Sequence, residues 1–150
     1  MPILNVNISG SPNADISMQA SSLLIELTVN ILGKMRDVIA VCIDYIPEGQ
    51  WCVGGSMLSA QGKRSFYVNV AITEGTNTKD EMARYVDEVF RGFETILGSV
   101  HAESYIHVQE VRGSAYGYGG LTQEHRYIAK KLAPVVPIPK GGGTELWRPH

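Results

Sequence analysis

The sequence predicts an α/β domain made of two tandem β-α-β units, which form a four-stranded mixed sheet with two helices on one face. An internal repeat indicates this architecture, because LNVNISGSPN at 4–13 matches VNVAITEGTN at 68–77. The Gly-Gly pairs at 54–55 and 119–120 align at nearly the same spacing. Each copy also carries a β-rich run, a helical pattern and a second β-rich run in the same order.

The first strand of each copy is a short run of apolar and β-branched residues, at 3–8 in the first copy and 66–72 in the second. The apolar character is partly continuous, which is typical of strands that are covered by other elements. A polar stretch rich in Gly, Ser, Thr and Asn follows each run and separates it from the helical pattern.

The helices are predicted from apolar residues at steps of three and four, which place each set on one helix face. Thr78 followed by Glu81 fits a capping box at the start of the second helix. Gly33 and Gly98 stand where a helix-terminating glycine belongs. The apolar positions are Ile16, Ala20, Leu23, Leu24, Leu27, Ile31 and Leu32 in the first copy, and Met82, Tyr85, Val86, Val89, Phe90, Phe93, Ile96 and Leu97 in the second.

The second strand of each copy is predicted at 38–46 and 104–111, and each leads into a Gly-rich turn. Parallel strands joined through a helix need a crossover, which is right-handed in nearly all proteins. With both helices on one face, the other face is expected to be partly apolar and uncovered. Such a face predicts self-association.

We expect one domain at 1–133, made of repeats at about 2–57 and 66–121, with a short helix at 122–132. The composition then changes to PVVPIPKGGGTELWRPH, so 134–150 is expected to be a Pro/Gly-rich arm. This arm is either a flexible tail or a segment that wraps a neighbouring subunit, with Trp147 as its apolar anchor.

Composition excludes several classes of function. The chain has 150 residues and a net charge of −2, without a basic run, so no nucleic-acid partner is expected. No apolar stretch approaches the ~20 residues of a membrane span, and no signal-peptide pattern opens the chain, which predicts a cytoplasmic protein without a membrane partner. Cys42 and Cys52 are expected to be buried thiols of a reducing compartment.

No cofactor or metal ion is expected. His101, Glu103 and His107 are the only set that suggests ligands, and alternate positions along a strand are too loose a pattern to indicate a metal site.

Pro2 begins the most specific motif. PILNVNISGSPN starts a strand directly after Met1, and the unit closes with GQWCVGG. This resembles the tautomerase superfamily, in the tandem two-repeat form of 4-oxalocrotonate tautomerase-like proteins that is related in layout to cis-3-chloroacrylic acid dehalogenase. The resemblance covers about residues 2–120. It implies a homotrimer and an amino-terminal proline that moves protons at the base of an apolar pocket without a cofactor.

The chemistry of Pro2 agrees with that role. A free α-amino group has a pKa of roughly 7.7–8.0, and burial lowers it, which gives a base suited to neutral pH. The second repeat has Phe66 at the equivalent position, so only one copy can supply the amine. If Met1 is retained, the Pro2 nitrogen lies in an amide and cannot act as a base.

The sequence departs from the family at the substrate-binding arginines. Their positions fall at Pro12 and Ala40, and ITEGTN at 72–77 also lacks the arginine pair of the tandem dehalogenase. The water-activating glutamate of that enzyme falls near Tyr118, and its assisting tyrosine near His107. The resemblance is therefore one of layout, and it leaves the substrate open.

Five residues are candidates for binding the substrate, each with a structural alternative. Trp51 matches the aromatic pocket wall of the short tautomerases, or packs between subunits. Arg64 and Arg112 are candidate carboxylate ligands, or ordinary surface charges. His107 is a hydrogen-bond donor or proton carrier, or a satisfied core or interface histidine, and Tyr105 shares its strand face.

The sequence thus favours a keto-enol tautomerase, an isomerase that uses Pro2 as general base and acid on a small enol or unsaturated carboxylic acid. The setting would be the catabolism of aromatic acids or haloacids. One alternative is a hydratase, dehalogenase or decarboxylase that acts on a three-carbon acid. The other is a weakly catalytic binding or structural trimer of the same fold.

Overall fold

The computed structural model describes residues 1–134, which divide into two compact units. The first unit is Met1–Arg112, and the second begins at Gly113. The boundary falls inside the predicted second repeat, so its Gly-rich turn belongs to the second unit. Apart from Pro134, the arm predicted at 134–150 lies outside the described residues, and its role stays a prediction.

The first unit is built on a four-stranded mixed sheet, as predicted. Its strands are β1 (Ile3–Ser9), β2 (Ala40–Ile46), β5 (Phe66–Thr73) and β6 (Tyr105–Val111). They lie in the order β2-β1-β5-β6, in which β1 pairs in parallel with β2, β5 in parallel with β6, and β1 antiparallel with β5. Asn5 lies directly opposite Asn69, so equivalent residues of the two repeats meet at the centre of the sheet.

Helices α1 (Ala14–Asn30) and α3 (Lys79–Leu97) pack together on one face of the sheet. The Asn13 side chain caps the amino terminus of α1, where it accepts hydrogen bonds from the backbone N–H groups of Asp15 and Ile16. Thr78 and Glu81 form the predicted capping box of α3, with bonds of 2.7 and 3.1 Å. Alternate residues of β1 and β5 are buried in the core, and partly buried residues of β2 and β6 pack against it. The core contains Leu4, Val6, Ile8, Ala20, Leu24, Ile31, Leu32, Phe66, Val68, Val70, Ile72, Tyr85, Val89 and Phe93.

The sheet face away from the helices, here called the open face, is more polar than expected. Its central row runs across the four strands in register, through Cys42, Asn5, Asn69 and His107. The prediction of buried thiols is wrong, because Cys42 and Cys52 are both exposed and free. Cys42 points to the open face by strand alternation, and Cys52 lies in a short hairpin outside the core.

A short hairpin follows the second strand of each repeat. In the first unit, β3 (Cys52–Val53) and β4 (Ser56–Met57) flank a Gly-Gly turn with φ values of +63° and +85°, followed by α2 (Leu58–Gln61). In the second, the turn between β7 (Gly117–Tyr118) and β8 (Leu121–Thr122) has values of +59° and +81°. Two consecutive positive φ angles favour glycine at both positions. The second unit continues as α4 (Gln123–Leu132), which confirms the predicted short helix.

Replacing Tyr85 with phenylalanine is expected to destabilise the fold by about 1–2 kcal/mol. The Tyr85 hydroxyl makes a 3.0 Å hydrogen bond with Thr28 between α3 and α1, and both residues are fully buried. Tyr85→Phe leaves the Thr28 hydroxyl without a partner, whereas Tyr85→Phe combined with Thr28→Val removes both polar groups. Urea unfolding of Tyr85→Phe, Thr28→Val and the double variant checks this. The double variant should lose less unfolding free energy than the two single variants lose together.

Candidate active site

The sheet has two ends that differ in chemistry. At the end here called the proline end, β1 and β2 begin while β5 and β6 finish. The register places Ile3 beside Ala40 on one side and Ala71 on the other. At the opposite end, here called the cavity end, β5 and β6 begin. Residues that the sequence predicts as one site are therefore divided between the two ends of the sheet.

Pro2 lies at the proline end, immediately before β1, and is buried. Its carbonyl oxygen accepts a hydrogen bond of 3.2 Å from the backbone N–H of Ala40, which fixes the start of β1 against β2. The Met1 amine that precedes it is half-buried. Burial lowers the pKa of this amine below 8.0, and the charge of Lys34 lowers it further.

Lys34 is a cation that the sequence analysis missed, and its charge acts on the amino terminus. It follows Gly33, whose φ of +69° turns the chain from α1 towards β2. The Lys34 Nζ donates a 2.9 Å hydrogen bond to the Thr76 hydroxyl. Burial lowers the pKa of Lys34, and the carboxylate of Glu81 partly opposes that shift. A half-buried ammonium group thus stands close enough to the amino terminus to affect its titration.

A topological signal for Lys34 was present in the sequence. In a β-α-β unit with parallel strands, the connection from the helix to the second strand returns to the end where the first strand begins. Any basic residue at 33–39 is therefore brought near Pro2. Arg36 lies in the same connection, but it is exposed and forms an ion pair of 2.6 Å with Glu26.

The cavity end carries an open cavity of about 760 Å³ in the first unit. Neither Pro2 nor Lys34 lines it. Trp51 and Tyr105, both predicted as substrate-binding residues, do line it. The full lining comprises Trp51, Cys52, Val53, Gly54, Ser56, Gln61, His101, Glu103 and Tyr105.

Hydrogen bonds order one wall of this cavity. The Tyr105 hydroxyl donates to a Glu103 carboxylate oxygen at 2.7 Å, and the backbone N–H of Glu103 donates to His101 Nδ1 at 3.0 Å. The bond to Glu103 and its negative charge raise the pKa of Tyr105, which keeps its phenol protonated. In neutral His101, acceptance at Nδ1 places the proton on Nε2.

The Arg64 side chain is bound to the protein backbone. Its guanidinium donates to the backbone carbonyl of Ser9 at the end of β1. A Cβ atom at Gly10 would lie 2.8 Å from the Arg64 Nη2 atom, so the chain passes closely over this side chain. The Arg64 Nε atom is buried and has no hydrogen-bond partner among the described residues.

His107 and Arg112 occupy two further places. His107 is exposed near the centre of the open face, beside Asn69, and it does not line the cavity. Arg112 is exposed and follows the last residue of β6, which places it at the proline end. Ala40 is exposed beside Ile3, where the family resemblance would have an arginine. Lys34 and Arg112 therefore both lie at the proline end.

Residues 1–134 contain neither a candidate metal site nor a candidate membrane span. No group of three or more His, Cys, Asp or Glu side chains within this part of the chain is placed to hold a metal ion. None of its helices combines the length and apolar character needed to cross a bilayer.

Comparisons with known proteins identify the fold. No protein-family model matches the sequence, and no curated protein matches it significantly. Among solved structures, a fused 4-OT wild-type symmetric trimer is 17% identical, with a TM-score of 0.73 over 83% of this chain and 98% of that one. Pt0534 inactivated by 2-oxo-3-pentynoate is 14% identical, with a TM-score of 0.71 over 81% and 96%.

A macrophage migration inhibitory factor-like protein from Entamoeba histolytica is 16% identical, with a TM-score of 0.67 over 81% of this chain and 97% of that one. These three proteins are members of the tautomerase superfamily. At such low identity the likeness establishes a shared fold, and it confirms the fold that the resemblance implied.

Proposed function

We propose that this chain, whose fold is that of the tautomerase superfamily, is a cofactor-independent isomerase that uses the Pro2 amine to move a proton on an enol carboxylic acid. One observation carries the proposal: Pro2 is buried at the start of β1, at the end where the half-buried cation Lys34 lies. Once Met1 is removed, the Pro2 nitrogen becomes a secondary amine held in a ring.

In the proposed reaction, unprotonated Pro2 takes the proton from the enol hydroxyl of the substrate. The electrons of the broken O–H bond form the carbonyl, and those of the carbon–carbon double bond take up a proton at the adjacent carbon. Pro2 returns the proton there, so the reaction is balanced without an oxidant or a cofactor. A base that operates near neutral pH suits both steps.

Lys34 is proposed to bind the substrate carboxylate, with Arg112 as a second cation at the same end. A charge-assisted hydrogen bond from an ammonium group to a carboxylate is stronger than a neutral one. The positive charge also favours the unprotonated form of an amine at this end, since it adds to the effect of burial in lowering the pKa of the Met1 amine. An unprotonated amine favours isomerisation over hydratase, dehalogenase or decarboxylase chemistry, which would need protonated Pro2 as an acid.

We further propose a homotrimer in which each site is shared between subunits. A cyclic trimer joins two different surfaces of neighbouring chains. The proline end of one subunit can therefore meet the cavity end of the next, which would bring Trp51 and Tyr105 to another subunit's Pro2. One line of support is the fused 4-OT trimer, which has the same fold. The other is that the predicted site residues are divided between the two ends of one subunit's sheet.

A complementation experiment tests the shared site. Chains carrying Pro2→Ala and chains carrying Trp51→Ala are each expected to be nearly inactive. Trimers reassembled from an equal mixture should regain about a quarter of the wild-type activity, because that fraction of sites pairs an intact Pro2 with an intact Trp51.

The matched control is a mixture of Pro2→Ala chains with chains that carry both substitutions, which has no complete site. Recovery of activity in the first mixture but not in the control mixture supports the proposal. Failure of the first mixture to exceed the activity of its components, although mixed trimers form, shows that the cavity does not serve a neighbouring Pro2.

A further inference from the structure

The charge of the cavity end bears on which acids the proposed enzyme accepts. Among the described residues that line the cavity, Glu103 carries the only formal charge when His101 is neutral, and that charge is negative. No lysine or arginine belongs to this lining. The proline end, in contrast, carries Lys34 and Arg112. The cavity lining and the two cations proposed to bind the substrate carboxylate therefore differ in sign.

The position of the Glu103 carboxylate is set by its neighbours. The Tyr105 hydroxyl donates a 2.7 Å hydrogen bond to one carboxylate oxygen of Glu103. The backbone N–H of Glu103 donates a 3.0 Å hydrogen bond to His101 Nδ1. An ionised carboxylate accepts up to about four hydrogen bonds, of which Tyr105 supplies one. Glu103 can therefore accept further hydrogen bonds from a ligand in the cavity.

The remaining walls suit an aromatic group. Trp51 and Tyr105 present ring surfaces, which attract other rings and organic cations. The volume of about 760 Å³ lies within the range of pockets for drug-sized ligands, and it exceeds what a three-carbon acid fills.

We infer that Glu103 is a specificity-determining residue, which selects enol acids whose far end is an aromatic group with a hydrogen-bond donor or a positive charge, and which disfavours a second carboxylate. The inference rests on the proposed function. The substrate carboxylate binds at Lys34 near Pro2, and the far end of the molecule enters the neighbouring subunit's cavity. There a second carboxylate meets Glu103 without a compensating cation among the described lining residues, and like charges at short range repel.

Three arylpyruvates of similar shape test this inference, with aminomethyl, methyl or carboxylate groups at the para position. Their dissociation constants are measured by tryptophan fluorescence on the folded Pro2→Ala variant, so the readout does not require turnover. Affinity is expected to fall from the cation through the neutral compound to the anion, by about tenfold overall at low salt. Wild-type kcat/KM values should follow the same order.

Glu103→Gln keeps the shape and removes the charge. In this variant the range of affinities is expected to narrow to about threefold or less, with the methyl compound almost unchanged. Glu94→Gln, on the exposed surface of α3, is the matched control and should keep the wild-type order.

Equal affinities for the three compounds in the protein that keeps Glu103 would overturn the inference. The same order of affinities in Glu103→Gln would also overturn it. Failure of the proposed function looks different: the Pro2→Ala variant would turn over the same acids as fast as wild type, whatever the order of their affinities.

Discussion

Pro2→Ala is expected to lower kcat/KM for an enol acid by about 10²-fold or more, which is the usual contribution of a positioned general base. Alanine still supplies an amino group, but that amine is no longer locked in a ring at the start of β1. The remaining activity should therefore be small but measurable. Following the loss of the enol absorbance under subsaturating substrate gives the ratio directly.

The control for this substitution is the fold. The Pro2 carbonyl bonds to the Ala40 backbone, an interaction that alanine retains, so circular dichroism and oligomeric state should match wild type. A folded Pro2→Ala variant with undiminished kcat/KM would contradict the role of Pro2 as the base.

Lys34→Met is expected to raise KM for the acid by about 10- to 100-fold, since a hydrogen bond to a charged group contributes roughly 1.5–3 kcal/mol. The effect on kcat should be smaller, because the carboxylate does not change during the proton transfer. Arg36→Met is the matched control from the same connection. Arg36 is paired with Glu26 at the surface, so its loss should leave KM within about twofold of wild type.

The pH profile gives Lys34 a second signature. Burial lowers the pKa of the Met1 amine, and the charge of Lys34 lowers it further. The Pro2 amine exposed by removal of Met1 lies at the same end, so Lys34→Met is expected to raise the pKa of the Pro2 amine. Activity is lost as pH falls through the amine pKa, and the acidic limb of kcat/KM should therefore move to higher pH in the variant. In wild type, KM should also rise as alkaline pH deprotonates Lys34, at a pH below 10.5 because burial lowers its pKa. An acidic limb that does not move would show that Lys34 does not act on the base.

Local signals were enough to predict most of the fold. Strand alternation, the Thr78–Glu81 capping box and the Gly-Gly turns are properties of neighbouring residues, and all of them appear in the structure. The repeat predicted the pairing of two equivalent units. What a local pattern does not contain is strand register, and register is what places Asn5 against Asn69 and Asn69 against His107 in one row of the open face.

The candidate site was predictable only in part for the same reason. Pro2 could be proposed from the sequence because its chemistry depends on one position in the chain. Lys34 was missed because only the crossover between β1 and β2 brings it to the proline end. Trp51 and Tyr105 do line one cavity, but the antiparallel pairing of β1 with β5 places that cavity at the opposite end from Pro2.

The mass of the intact, active protein tests the central claim most directly, because only a free Pro2 nitrogen can accept a proton. We expect turnover of an enol acid to accompany a chain that is lighter than the full 16.4 kDa sequence by one methionine residue. Fully active protein that retains Met1 would contradict the account, since its Pro2 nitrogen would be an amide.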